Sequence, residues 1–353
     1  MTGVTEAAAG VSVVIPVKGR VEPTRRLAAS LAVAAANCPE PVEVLLVDDS
    51  AEPQARQHRI TCDRHGIRYV ATVEPYVGAK RNIGIGLAKH DLLMFTDSDC
   101  LVGPDALRRH VEAVRSAPAR VAGVAGPTFT DPSPTTMFRI MRNSHLLNWD
   151  FERPAEGGEL VWATTSNLML RRAAVKEVGG FPSRCLDVVG GEDLELGIRL
   201  SKRGYVIRAV PDAVVTHDSM CTDSVRTVCR RLYGYGRSEQ WLSTVHPDRR
   251  VPHANLVTAL GLTASVSAAL VRRTRGRSLL LTPVVAGAAV AVGALRRYRV
   301  ERPPPKVGDV ALRTVLEWCF DAGAVVAAIR LRRPTQLFTG FRAEGKPGAD
   351  RKS

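Results

Sequence analysis

An α/β fold, with a mostly parallel sheet covered by helices on both faces, is what this 353-residue sequence predicts. Three observations carry the prediction. Short apolar, β-branched runs recur through the first half, helical segments alternate with them, and the runs close on polar residues. VSVVIPV (11–17) has the continuous apolarity of a buried parallel strand and stops at the Lys18-Gly19-Arg20 turn. Pro23 then suits the start of a helix running from Arg25 to Ala36. VEVLLVDD (42–49) is a second strand and IRYVAT (67–72) a shorter third. Val77 to Lys89 reads as a helix, and DLLMFTDSD (91–99) as the next strand. Polar strand ends on one sheet edge are where open α/β sheets bind ligands.

The middle of the chain differs in texture. Pro127 to Gly158 is looped, VWATTSNLMLRR (161–172) is strand-like, and a helix from Ala173 to Val178 ends at Gly179-Gly180. Gly190 to Arg203 is helical, Gly204 closes it, and YVIRAVP (205–211) is another strand. The organisation expected is a flexible N-terminus at 1–10, a catalytic domain over 11–245, a basic and apolar helical region over 246–344, and a disordered tail at 345–353. Ala254 to Val271 and Leu279 to Leu295 are apolar segments near the lower length limit for a membrane span. A cytoplasmic hairpin of the two would put the RRTRGR loop (272–277) outside, against the positive-inside tendency, so helices lying in or dipping into the interface are expected, the alternative being a helical pair packed on the soluble domain or on a second subunit. A more amphipathic helix follows from Val310 to Leu331.

Charge is distributed unevenly: the net +14 divides into +2 over residues 1–245 and +12 over 246–353. The arginine clusters sit between apolar runs without interleaved aromatics, which points to an anionic membrane surface and away from nucleic acid. Seven cysteines, an odd and scattered set without metal-ligand spacing, fit reduced thiols. MTGVTEAAAG has no basic stretch leading into an apolar one, so no export of the first domain is expected.

The carboxylates narrow the chemistry. Asp97 and Asp99, two residues apart at a strand end, could face one cation, and oxygen ligands suit Mg²⁺ or Mn²⁺. Asp48 and Asp49 close a neighbouring strand; one could take a ligand's base or ribose while the other braces the loop. Lys80, Arg81 and Asn82 could serve a diphosphate. Glu192 and Asp193 begin a helix, as N-terminal capping or as a general base. His217 could ligate a metal through a neutral imidazole.

Taken in order, VSVVIPV, LLVDDS, VGAKRNIG, MFTDSDC, SNLMLRRAAVKEVGGF, GGEDLELGIRLSKRGY and VPDAVVTHD resemble the family 2 glycosyltransferases over roughly residues 11–218. The resemblance implies the GT-A fold and inverting transfer of a single sugar from a nucleotide-diphosphate donor, UDP first, to a hydroxyl of a lipid-linked, peptide or small-molecule acceptor. It also implies residue roles. Asp49, or else Asp48, would contact the base, and Pro16 would shape the first nucleotide loop. Arg81 and Asn82 would lie near the nucleotide. Asp97 would contact ribose or metal, and Asp99 would bind the Mn²⁺ or Mg²⁺ bridging the diphosphate, with His217 completing the site. Asp193 would be the catalytic base and Glu192 would support the acceptor. The location implied is the cytoplasmic face of the cell membrane.

Processive members carry a Gln-x-x-Arg-Trp motif; RRLYGYGRSEQWL (230–242) has Gln240-Trp241 without that spacing, which argues against a polymer synthase. Tyr235 to Ser238 is locally similar to glycosyltransferases of the mycofactocin type. The rival readings are a membrane-recruited, non-catalytic scaffold of the same fold and a sugar-nucleotide pyrophosphorylase. The latter wants a glycine-rich basic loop that VIPVKGRVEP only abbreviates. An oxidoreductase is disfavoured because no G-x-G-x-x-G follows the first strand.

Overall fold

The computed structural model describes residues 8–132, 134–144, 146–147, 149–183, 190–218, 223–300 and 306–344. Cys185, Cys221, most of the N-terminal segment and the 345–353 tail lie outside them; the five cysteines described are free. The chain forms two compact units, one of residues 1–131, 148–218 and 343–353 and another of residues 132–147 and 219–342.

The first unit runs β1 (Ala8–Val17), α1 (Val21–Ala36), β2 (Val42–Asp48), α2 (Gln54–His65), β3 (Arg68–Ala71), α3 (Val77–Leu87), β4 (His90–Phe95), β5 (Cys100–Val102), α4 (Ala106–Arg115), β6 (Val121–Ala125) and β7 (Thr128–Thr130). The chain then makes α5 (Thr136–Met141), which belongs to the second unit, and returns with α6 (Trp149–Glu152), β8 (Glu159–Leu160), β9 (Leu168–Arg171), α7 (Arg172–Glu177), α8 (Glu192–Lys202), β10 (Val206–Ala209) and β11 (Val215–His217). Eight strands form one sheet in the order β3-β2-β1-β4-β9-β6-β10-β8, and β5-β11-β7 form a small second sheet.

Strand alternation explains the three layers. Val11, Val13, Ile15 and Val17 of β1 face one side, where they bury with Leu27 and Leu31 of α1 and Leu107 and Val111 of α4. Val14 faces the other, in a core with Leu93, Phe95, Val175 of α7, and Leu196 and Leu200 of α8. β1 pairs in parallel with β2 on one side and β4 on the other, so strand order reverses at β1 and a crevice opens at the carboxyl ends of β1 and β4. Pro16 fits this place. The Val17 carbonyl turns to β2 and accepts from the Asp49 N–H at 3.3 Å, so Pro16 turns its donorless nitrogen towards β4, where pairing has already ended at Val14–Phe95.

One element escapes a hydrophobicity reading. α2 lies in what reads as a polar stretch, because its buried face is Ala55, His58, Thr61 and Cys62. α4 and β6, which the sequence reading leaves unassigned, carry plain apolar patterns, Leu107, Val111 and Val114 on one helix face and an unbroken buried run from Val121 to Ala125. Conversely, VWATTSNLMLRR yields a strand only at Leu168–Arg171, since Thr164, Thr165, Ser166 and Asn167 are buried in a polar turn and bond among themselves and to backbone.

The second unit holds α9 (Val225–Val245), β12 (Arg250–Pro252), α10 (Leu256–Leu270), α11 (Leu281–Val300), α12 (Val307–Arg330) and β13 (Thr339–Phe341). Its core is Val228 and Leu232 of α9 with Leu316 and Phe320 of α12 and Ile140 and Met141 of α5. α9 and α12 cross backbone to backbone: a Cβ on Gly236 would strike the Phe320 carbonyl, and one on Gly323 the Tyr233 carbonyl. α10 and α11 are otherwise placed. Arg277–Arg299 is long and apolar enough to cross a membrane, with a mean hydropathy of 2.1 and only 6% of its apolar window buried. Leu280 and Val284 are 65% and 64% exposed.

The crossing predicts an asymmetry among glycines. Gly323→Ala should destabilise by about 1–3 kcal/mol through overpacking. Gly261→Ala, in open space on α10, should be neutral or stabilising by up to about 1 kcal/mol. Chemical denaturation of the two variants beside the parent chain measures both.

Candidate active site

The crevice is built from the turns that follow β1, β2 and β4. Asp48 and Asp49 divide their labour there. Asp48 points inward and accepts from His58 Nδ1 at 2.9 Å, the Tyr69 hydroxyl at 2.9 Å and the Ser50 N–H at 2.7 Å. Burial alone would raise its pKa, but the hydrogen bonds from His58 and Ser50 outweigh this and lower it to about 2. Asp49 faces two lysines, Lys80 Nζ at 2.6 Å and Lys18 Nζ at 3.0 Å, with its side chain only 4% exposed. Lys80 is itself buried and also donates to the Val17 carbonyl at 3.0 Å, which locks the β1 and β2 ends together.

Arg81 is buried outright. Its Nη1 donates to Glu192 at 2.8 Å and its Nη2 to Asp97 at 3.0 Å, while the guanidinium lies 5.4 Å from the centre of the Phe181 ring. One side chain therefore ties the turn after β4 to the first turn of α8. Asn82 is equally occupied: its amide donates to the Phe181 carbonyl and accepts from the Phe181 N–H, both at 2.8 Å, fixing the turn after Gly180. The structure thus places Arg81 inside the protein and Asn82 half-buried beside it, each holding another part of the site.

Glu192 and Asp193 open α8 after Gly191, whose φ of 89° lies in the left-handed region. Glu192 receives the Gly190 N–H at 3.0 Å besides Arg81. Asp193 receives the Leu194 N–H at 2.8 Å and the Thr165 N–H at 3.4 Å. Burial first, and then the charge of Glu192, push the Asp193 carboxyl up to about 7, against the opposing pull of Arg81 and the two amides.

β4 ends at Phe95, so Asp97 and Asp99 lie on a turn and their carboxylates take different partners. Asp97 bonds Arg81; Asp99 pairs with Arg20 through Oδ2 and turns Oδ1 to His217 Nε2 at 3.5 Å. His217 Nδ1 donates to the Asp218 carbonyl at 2.8 Å, which turns Nε2 towards Asp99. A carboxylate oxygen and an imidazole nitrogen 3.5 Å apart are spaced as two ligands of one cation would be. Ligand atoms of Asp97, Cys100 and His217 also lie within 4.8 Å of one another. The carboxylates and the imidazole nitrogen fit a divalent cation such as Mn²⁺, whereas burial pushes the Cys100 thiol well above its ordinary value and keeps it protonated, a poor ligand for such an ion. The register His217↔Cys100 between β11 and β5 produces this convergence, and the Phe151 ring stands edge-on to His217 at 6.1 Å.

Several participants lack a signal in the sequence. Thr165 reaches Asp193 only because a polar turn replaces an expected strand. Arg20 meets Asp99 from a residue in the left-handed conformation, φ 55°, at the start of α1. Arg26 pairs with Asp218 at 2.8 Å across a sequence gap no local pattern bridges.

Comparisons with known proteins bear on the family and the fold. Residues 12–179 match the family model Glycosyl transferase family 2. A pre-mycofactocin glycosyltransferase of Mycobacterium tuberculosis is 28% identical over 253 residues, 69% of this chain and 49% of its own. The succinoglycan biosynthesis protein ExoM of Rhizobium meliloti is 31% identical over 195 residues, 52% of this chain and 59% of its own. The chain spans about half the length of the first of these. Among solved structures, a mannosyltransferase from Pyrobaculum calidifontis, in complex with GDP-Man and Mn²⁺, aligns with a TM-score of 0.55 at 17% identity, covering 91% of this chain and 89% of that one. That likeness carries the fold.

The buried Asp48 makes a prediction about acid. Its folded pKa, about 2, lies below the unfolded value, so its contribution is present above the unfolded pKa and is lost as pH falls through the folded one. Urea midpoints of the parent chain should fall more steeply with pH over the range below about 4 than those of Asp48→Asn, and the variant should be less stable at neutral pH.

Proposed function

We propose a reaction for this chain, which belongs to glycosyltransferase family 2 through residues 12–179 and has the GT-A fold: transfer of one sugar from a nucleoside-diphosphate sugar to an acceptor hydroxyl, with inversion. The observation that carries the reading is Asp193, a carboxylate held up to about 7 and linked through Glu192 and Arg81 to Asp97 at the crevice. A base with that proton affinity is matched to removing an alcohol proton near neutral pH. Glu192, fixed by Arg81 and the Gly190 N–H, orients the turn that presents Asp193 and supports the acceptor.

On the donor side, Asp49 takes the base of the nucleotide, UDP first, while Asp48 braces its loop and Pro16 shapes the turn beneath. Asp97, Asp99 and His217 hold the metal, and Mn²⁺ is favoured over Mg²⁺ because an imidazole is in the set. When bound, such a cation supplies Lewis-acid neutralisation of the departing diphosphate. Arg81 and Asn82 act near the nucleotide by holding Asp97 and the Phe181 turn. The acceptor is a lipid-linked, peptide or small-molecule hydroxyl. The work is done at the cytoplasmic face of the cell membrane, where exposed α10 and α11 rest in lipid and their flanking arginines meet anionic headgroups.

A screen of UDP-, GDP- and dTDP-sugars with Mn²⁺ or Mg²⁺, with and without membrane lipid extract, tests this. Metal-dependent release of one nucleoside diphosphate is expected; no release together with no metal-dependent nucleotide binding leaves the non-catalytic scaffold. Asp193→Asn should lower kcat by about 10²-fold or more while leaving donor Kd unchanged. In the parent chain kcat/KM should fall as pH drops below about 7, because the base must be ionised to accept a proton. A profile flat down to the usual carboxylate range would remove Asp193 from that role.

A further inference from the structure

One short turn meets two carboxylates of the crevice. Lys18 Nζ pairs with Asp49 at 3.0 Å and Arg20 with Asp99, and Gly19 between them donates its N–H to the Ser50 hydroxyl at 2.7 Å. The backbone of this turn is held firmly. The Arg20 carbonyl accepts from the Thr24 N–H at 3.0 Å and from the Thr24 hydroxyl at 2.8 Å. Gly19 and Arg20 both lie in the left-handed region, with φ of 63° and 55°. Glycine takes that conformation freely, whereas an arginine takes it at a cost, and strain of this kind gathers where a ligand is clamped. The side chains are freer than the backbone that carries them. Arg20 is 41% exposed and Lys18 67%, while the carboxylates they meet, Asp99 and Asp49, are 8% and 4% exposed. The anions are fixed in the wall and the cations reach them from solvent, so the cations are the partners able to move.

For Asp99 this sets up a competition. Its Oδ2 takes Arg20 and its Oδ1 faces His217 Nε2 at 3.5 Å. A guanidinium and a divalent cation draw on the same carboxylate charge, so each weakens the hold of the other. Arg81, buried between Asp97 and Glu192, has no comparable freedom. Charge accounting then gives Arg20 a destination. A nucleoside-diphosphate sugar brings an anionic diphosphate whose charge a divalent cation offsets, and a further negative charge appears on the leaving oxygen as its bond to the sugar breaks. A planar guanidinium is suited to phosphate oxygens. We propose that Arg20 exchanges anions: it pairs with Asp99, yields that carboxylate to the divalent cation, and then binds the diphosphate, most tightly once the diphosphate has parted from the sugar. The inference deepens the transfer reading and rests on it.

Two titrations of the full chain in a neutral maltoside detergent, neither requiring turnover, test this. Mn²⁺ alone is followed through the paramagnetic resonance signal of the free ion, and UDP and GDP are titrated calorimetrically at saturating Mn²⁺. Arg20→Ala should tighten Mn²⁺ about fivefold and weaken the nucleoside diphosphate about tenfold, changes of opposite sign from one substitution. Lys18→Ala removes the same charge from the same turn, but one that faces Asp49, and should leave the affinity for Mn²⁺ alone at the parent value. An arginine that only shapes the turn would, when removed, weaken both ligands together or move neither, and either result overturns the proposal. Equal tightening of Mn²⁺ by Lys18→Ala would also overturn it, since a general field effect would then be enough. A parent chain that binds neither Mn²⁺ nor either nucleotide would sink the transfer reading itself, and this inference with it.

Discussion

The site depends on one buried cation. A guanidinium without water must be paired at close range, and Arg81 meets that demand with Asp97 from the turn after β4 and Glu192 from the start of α8. Removing it would leave two carboxylates facing each other in a poorly solvated space, a loss of the order of 3–5 kcal/mol for breaking a buried pair. The arrangement also makes the two halves of the crevice thermodynamically dependent, because whatever draws charge from Asp97 changes the field at Glu192 and, one residue on, at Asp193.

The same economy appears in the two aspartate pairs. Asp48 is consumed by the fold, its lone pairs taken by His58, Tyr69 and Ser50, and this rigidity holds Asp49 at the crevice edge. Asp97 and Asp99 split in a comparable way, one towards Arg81 and the other towards Arg20 and His217. In each pair the two carboxylates take different partners, so that each is oriented by its own set of contacts.

Much of this is legible in the amino-acid sequence. The parallel strands announce themselves because burial on both faces requires unbroken apolar runs, as in β1 and β4. The site carboxylates stand at the ends of those runs, so position in the pattern marked them out. α2 was hidden because its inner face is His58, Thr61 and Cys62 rather than aliphatic residues. The expected extended geometry of Asp97 and Asp99 gave way to a turn, and their convergence on His217 rests on a strand pairing between residues 100 and 217. No local pattern encodes such a pairing. The roles of Arg81 and Asn82 as internal struts were likewise invisible, because sequence spacing places a residue on a helix without saying whether it meets ligand or protein.

The exposure of α11 has a consequence for how its sequence can drift. A buried helix must match the shapes of its neighbours, so each substitution there is felt as a cavity or an overlap. In the proposed lipid setting, the outward side of α11 answers only to polarity. Leu, Val and Ala are then interchangeable at positions such as Leu281 and Val284, whereas a single carboxylate would be costly. Related chains would then keep the hydrophobic character of this segment while losing its identity, and the likeness between them would fade fastest where the physical requirement is simplest.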